Sequence, residues 1–134
     1  MDKNSIIRIA RPTDNLDIIR DQYLNGLGFK ILFQFEDHEG FDGVIIGHEN
    51  QLYHLEFTHH RGVTVGKSPT KDHLLAFYIA DKDEYDSQCK KMLDAGFIKV
   101  VSYNPYWDLN GSTYEDIDGY RIVLANISFG KNNS

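Results

Sequence analysis

The side chains best suited to chemistry gather in one short run. Tyr53-His54-Leu55-Glu56-Phe57-Thr58-His59-His60 holds three imidazoles and a carboxylate. Histidine and glutamate move protons near neutral pH, and both ligate divalent metals. The first six residues alternate apolar and polar, as in a half-buried strand. His54, Glu56 and Thr58 therefore share one face, and Tyr53, Leu55 and Phe57 the other. The apolar set belongs against a helix, which turns Glu56 toward an open cleft. A metal cluster of His54, Glu56, His59 and His60 lacks a firm ligand from a second strand, so these histidines read as polar strand-end residues. His38 and His48 fall in or beside turns and read as solvated. Tyr103-Asn104-Pro105-Tyr106-Trp107-Asp108 carries the only tryptophan. Such aromatics stack on a planar ligand at a cleft mouth, lock a long loop, or fill a dimer seam. Cys89, the only cysteine, lies on an apolar helix face and reads as a small buried hydrophobe. Gly26, Gly28, Gly96 and Gly119 mark turns and helix stops, without the spacing of a phosphate loop.

The elements that must hold these residues follow from periodicity. Residues 5–12 read as a strand in which Ile7 and Ile9 alternate with Arg8 and Ala10. Thr13-Asp14-Asn15 offers several N-cap residues for a helix whose Leu16, Ile19, Tyr23 and Leu27 line one face. Strands are expected at residues 29–36, 42–48 and 52–59, separated by turns at 37–40 and 49–51. A crossing loop with Gly62, Gly66 and Pro69 follows. The order then begins again: a strand at 73–80, a helix at 81–94 with Tyr85, Cys89, Met92 and Leu93 on its apolar face, and a strand at 97–103. After an aromatic loop at 104–111, strands at 112–117 and 120–126 form a hairpin across Asp118-Gly119. Residues 129–134 read as a frayed tail. Leu24-Asn25-Gly26-Leu27-Gly28-Phe29-Lys30-Ile31 also matches Leu93-Asp94-Ala95-Gly96-Phe97-Ile98-Lys99-Val100. The offset is 96 − 28 = 68, close to half the chain. This is the mark of an internal duplication.

Composition narrows the classes. The 134 residues carry 14 basic and 20 acidic side chains, a net charge of −6, with 41% apolar residues. These values suit one folded domain with a real core. The acidic balance argues against nucleic-acid binding, which wants clustered Lys and Arg. One cysteine excludes an internal disulfide and a Cys-rich zinc site. The first twenty residues hold Asp2, Arg8, Arg11, Asp14, Asp17 and Arg20, so no signal-peptide apolar core is expected. No apolar run approaches the roughly 18–20 residues of a membrane span. The expected address is the cytoplasm.

The repeated strand-helix-strand-strand-strand order resembles the vicinal-oxygen-chelate superfamily, which includes glyoxalase I, bleomycin-resistance proteins and extradiol dioxygenases. Gly26-Leu27-Gly28-Phe29 carries part of the resemblance. Asp116-Ile117-Asp118-Gly119-Tyr120-Arg121 is similar to the family's Asp-Pro-Asp-Gly turn, with Ile117 in place of proline. Residues 53–62 and 102–108 resemble a bacterial glyoxalase-like subgroup. The resemblance implies an α+β fold: tandem βαβββ modules forming an open, cleft-lining sheet with helices on the outer face, in halves 1–66 and 67–134. It also implies a homodimer.

Metal-dependent members place one ligand on each of four strands. By the family's spacing the first position here is Arg8, seven residues before Asn15, and arginine does not ligate metals. The second is Glu56. The third is Leu74, seven residues before Asp81. His73 is one residue out of register and would face the other way, although strand ends bend and a ligand role for His73 stays open. The fourth is Val123, four residues after Gly119. The usual chelate is therefore not expected, and no cofactor is predicted. Arg8 and Glu56 should instead meet in the cleft, because a lone buried carboxylate is costly. A guanidinium neighbour favours anchoring a polar ligand over proton abstraction. The expected reading is a small-molecule-binding, glyoxalase- or dioxygenase-like protein with possible lyase or isomerase chemistry. Glu56 is the acid/base candidate, and Arg8, His54, Tyr78, Tyr103, Trp107 and Arg121 are the substrate-binding candidates. Two alternatives stand beside it: a non-catalytic antibiotic-sequestering protein of the bleomycin-resistance type, and a metal-dependent lyase or dioxygenase using Glu56, His73 and His54.

Overall fold

A computed structural model describes residues 1–130. The chain folds as β1 (Ile7–Pro12), α1 (Leu16–Leu27), β2 (Lys30–His38), β3 (Phe41–Gly47), β4 (Tyr53–His60), β5 (Leu74–Tyr78), α2 (Lys82–Asp94), β6 (Ile98–Val100), a 3-10 turn at Pro105–Asp108, β7 (Gly111–Glu115) and β8 (Arg121–Ala125). The strands form two four-stranded sheets, ordered β1-β4-β3-β2 and β5-β8-β7-β6. In each sheet the first and last strands of the module pair in parallel and the other pairs are antiparallel. The second sheet thus repeats the first. Gly28 and Gly96 both adopt positive φ, at 73° and 92°, and each precedes a buried phenylalanine, Phe29 or Phe97. The offset of 68 read in the sequence is a structural equivalence.

Both helices and one face of each sheet share a single core. Ile19 and Tyr23 of α1 and Met92 of α2 pack with Val44, Ile46, Leu55 and Phe57 of the first sheet and Tyr114, Ile122 and Leu124 of the second. The expected apolar face of α1 is therefore correct. That of α2 is correct except at Leu93, which the helix turns to solvent while its neighbour Met92 is fully buried. Each sheet's other face, which contains Glu56 in the first and Val123 in the second, lies on the side away from this core.

Helix starts differ from each other. Asp81 caps α2 by accepting from the Glu84 N–H at 2.8 Å. Asn15 precedes α1 but makes no side-chain cap bond. Its amide instead donates to Asp118 of the second module at 2.9 Å, and Asp14 accepts from the Val65 and Gly66 N–H groups. The expected capping residues are thus committed to long-range contacts.

Two strands differ from expectation. β2 continues through His38, with Asp37 at φ 48° as the ladder shifts register. β6 ends at Val100 rather than at 103. Ser102 leaves the ladder because its Oγ donates to Asp108 at 2.6 Å and lies 2.6 Å from Thr113 Oγ1. Residues 131–134 of the expected tail lie outside the described residues.

The core also sets an alkaline limit. Burial pushes the Tyr23 and Tyr114 hydroxyls well above the ordinary phenol value, and Asp116 adds to the effect at Tyr23. A folded-state value raised above the unfolded one leaves stability intact below the ordinary range near 10 and removes it as pH rises further. The urea midpoint should therefore hold steady through neutral pH and fall above about pH 10, with a shallower fall in Tyr23→Phe. A midpoint independent of alkaline pH would contradict this.

Candidate functional site

β1 and β4 run parallel in a register that pairs Arg8 with His54 and Ala10 with Glu56. Cross-strand partners share a face, so Arg8, His54 and Glu56 come together on the side away from the core. Arg8 Nη1 lies 3.7 Å from Glu56 Oε2, and Arg8 Nε donates to His54 Nε2 at 2.9 Å. Because guanidinium nitrogens only donate, that ring nitrogen must accept, which places the imidazole proton on Nδ1. The Arg8 side chain is 49% exposed and that of Glu56 16%. An ion pair this open adds little to stability, about 0–1 kcal/mol. β3 and β2 extend the face with Ile45, opposite Glu56, and Phe33, opposite Ile45. The result is a polar triad beside an apolar strip on an open sheet.

The other sequence candidates fall into separate groups. β5 turns Leu74, Ala76 and Tyr78 to the outer face, as alternation required, in register with Arg121, Val123 and Ala125. Arg121 is held by Glu115, to which its Nε and Nη2 donate at 3.0 and 2.9 Å. Tyr78 packs edge-on against Trp107 and Phe129. The aromatic segment folds onto this face, since Ser102 bonds Thr113 and Arg121 Nη1 donates to the Val101 carbonyl. Val123 and Thr113 are consequently buried. Trp107 therefore locks a loop, while Tyr103 stays exposed. Among the described residues no hydrogen bond, ion pair or ring contact joins Arg121, Tyr78, Tyr103 or Trp107 to the Arg8 triad. The remaining histidines serve locally. His59 Nδ1 meets the Thr13 carbonyl at 3.1 Å, His60 stacks on Phe41 at 4.2 Å, and His73 Nδ1 lies 2.8 Å from Thr70 Oγ1.

The four positions that would hold a metal carry Arg8, Glu56, Leu74 and Val123. That donor set does not fit a cation: one member is permanently positive and two have no donor atom. Among the described residues no three His, Cys, Asp or Glu side chains form a metal-binding group.

Sequence reasoning missed the most elaborate polar cluster. Arg11 lies on the core-facing side of β1, and its guanidinium bonds Asp116 at 2.8 Å and Asp118 at 2.9 Å. It is sandwiched between the rings of Tyr120 and Phe57, 4.0 and 4.8 Å from their centroids. Tyr23 donates to Asp116 at 2.7 Å and Thr13 to Asp118 at 2.6 Å, while the Ile117 N–H donates to Gln22 Oε1. Burial pushes the Asp116 carboxyl above its usual range, and Arg11 and the Tyr23 hydroxyl pull it back. Burial likewise opposes the Arg11 charge, but the anionic groups around it hold its value above that of a free arginine. This network clamps the turn of the second module onto the first. The signal was present: alternation with Ile7 and Ile9 puts a charged Arg11 on an apolar face, where it must find a buried partner.

Paired βαβββ modules, each a four-stranded open sheet with its helix against the shared core, define a vicinal-oxygen-chelate fold. Solved structures bear this out. The trypanothione-dependent glyoxalase I of Leishmania major aligns with a TM-score of 0.70 over 91% of this chain and 86% of its own, at 21% identity. The fosfomycin resistance protein FosX of Mesorhizobium loti aligns with a TM-score of 0.68 over 96% and 95%, at 10% identity. At such identities the likeness is one of fold. A much nearer structure is that of a Bacillus subtilis YycE protein, described as of unknown function and as a candidate glyoxalase/fosfomycin resistance protein. It has a TM-score of 0.87 and 42% identity over 98% of this chain and 96% of that one. The YycE protein of Bacillus subtilis (strain 168) is 44% identical over 120 residues, 90% of this chain and 86% of its own. The YycE-like N-terminal domain matches residues 7–58 and the YycE-like C-terminal domain residues 72–126. The chain belongs to the YycE-like family.

Proposed function

We propose that the open face of the first sheet binds a small molecule bearing an oxyanion head, without a metal. The carrying observation is the Arg8–His54–Glu56 triad, in which a half-exposed guanidinium is oriented by an imidazole beside a carboxylate. An arginine fork matches a carboxylate, phosphate or phosphonate. The fosfomycin-resistance description of the Bacillus subtilis relative makes a phosphonate the first class to try. The exposed ring of Phe33 offers an apolar surface for the rest of such a ligand. If the bound molecule is turned over, Glu56 is positioned to exchange a proton with it, and Arg8 to stabilise developing negative charge, in a lyase or isomerase step. A thermal-shift panel of small phosphonates, phosphates and oxoacids tests the binding. Glu56→Gln then separates the roles: a binder keeps affinity in that variant, whereas an enzyme loses turnover.

The same reading expects a homodimer in which a second copy covers this face. In one chain the triad lies on an uncovered face whose neighbour Phe33 is 60% exposed, and Ile98, Val101 and Leu109 of the second module are also exposed. Apolar groups left open on two faces of one chain are typical of surfaces awaiting a partner. Sedimentation velocity should show a dimer, and Phe33→Glu should weaken it by at least about tenfold, as expected for a charge forced into an apolar seam. A wild-type monomer at high concentration would contradict this.

A further inference from the structure

A second cavity lies between the modules, on the core side of the sheets and apart from the Arg8 triad. β1 and β5 are edge strands of different sheets. A slot of ≈190 Å³ remains along their junction, walled by Ile9 and Leu55 of the first module and Leu75 and Ile122 of the second. The slot opens to solvent beside the partly exposed Ile9, which gives a ligand a way in. Its volume exceeds the roughly 150 Å³ that holds one benzene ring. The polar groups on the slot's surface are Arg11, Tyr23, His73, Tyr120 and Arg121, with no carboxylate among them. Arg11 is consumed by Asp116 and Asp118. Arg121 is likewise consumed, by Glu115 and the Val101 carbonyl on the outer face. His73 is oriented by Thr70 through Nδ1, which leaves Nε2 for another partner.

We infer that this slot is a binding site for a small cyclic or aromatic acid. The ring lies between Ile9, Leu55, Leu75 and Ile122, and the acidic group lies toward His73, two residues before Leu75. The apolar walls exclude a strongly hydrated ion, and the absence of a lining carboxylate disfavours a cation. The Arg11 clamp holds the two modules at a fixed spacing, so the slot persists without a ligand.

Methyl-detected NMR with benzoate and benzyl alcohol as probes tests the assignment. Benzoate should give saturable shifts at Ile9, Leu55, Leu75 and Ile122, with benzyl alcohol binding more weakly. Ile9→Phe, which fills the slot from a partly exposed position, should weaken benzoate by about tenfold through steric exclusion. No saturable shift at these methyls, or shifts confined to Ile45 on the opposite face, would overturn the site. Equal binding of benzyl alcohol would overturn the acidic-group assignment. The wild-type shift map decides the first question whether or not the variant folds.

Discussion

Arg11→Ala should destabilise the protein by about 3–5 kcal/mol, the usual consequence of removing one partner from a buried ion pair. The side chain of Asp116 has 0% exposure and that of Asp118 3%, so neither carboxylate can recover by solvation. The truncation also empties the space between Tyr120 and Phe57. Arg11→Lys should recover only part of the loss, because an ammonium cannot bridge two carboxylates in the geometry of a fork. Denaturant unfolding at neutral pH gives the comparison. A loss below about 1 kcal/mol, the range of an exposed pair, would show that the modules are held together by apolar packing alone.

Arg8→Ala should behave in the opposite way. Its ion pair with Glu56 is long and open, so stability should change by less than about 1 kcal/mol. Binding of an oxyanion ligand should nevertheless weaken by about 10- to 100-fold, the worth of one or two charge-assisted hydrogen bonds at roughly 1.4 kcal/mol per tenfold. His54→Ala should weaken binding less, since it frees Arg8 to rotate without removing its charge. Titration calorimetry against the best phosphonate, beside denaturant unfolding of the same variants, measures both quantities. A large stability loss with unchanged affinity would make the triad a structural feature.

The contrast between Arg11 and Arg8 explains how far the sequence could be read. Alternation within 53–58 is local, so it correctly placed His54 and Glu56 on one face, and the spacing of the resembled family put Arg8 beside them. The repeat at Gly28-Phe29 and Gly96-Phe97 is also local, and it disclosed the paired modules. Arg11 belongs to the same short strand, but its partners lie more than one hundred residues away. No periodicity reports such a contact. The aromatic segment escaped for a related reason. Its fold depends on Ser102 leaving β6 to meet Asp108 and Thr113. Trp107 therefore packs on Tyr78, and Arg121 pairs with Glu115 away from the triad. Residues that alternation placed on cleft faces were correctly oriented, but orientation within a sheet does not bring two sheets' faces together.

The most direct test of metal-free oxyanion binding is an amide NMR titration of methylphosphonate into protein kept in excess chelator. Saturable shifts centred on Arg8, His54 and Glu56 are expected, weakened by at least about tenfold in Arg8→Ala. Binding that appears only when Mn²⁺ replaces the chelator, and disappears in Glu56→Gln, would contradict it.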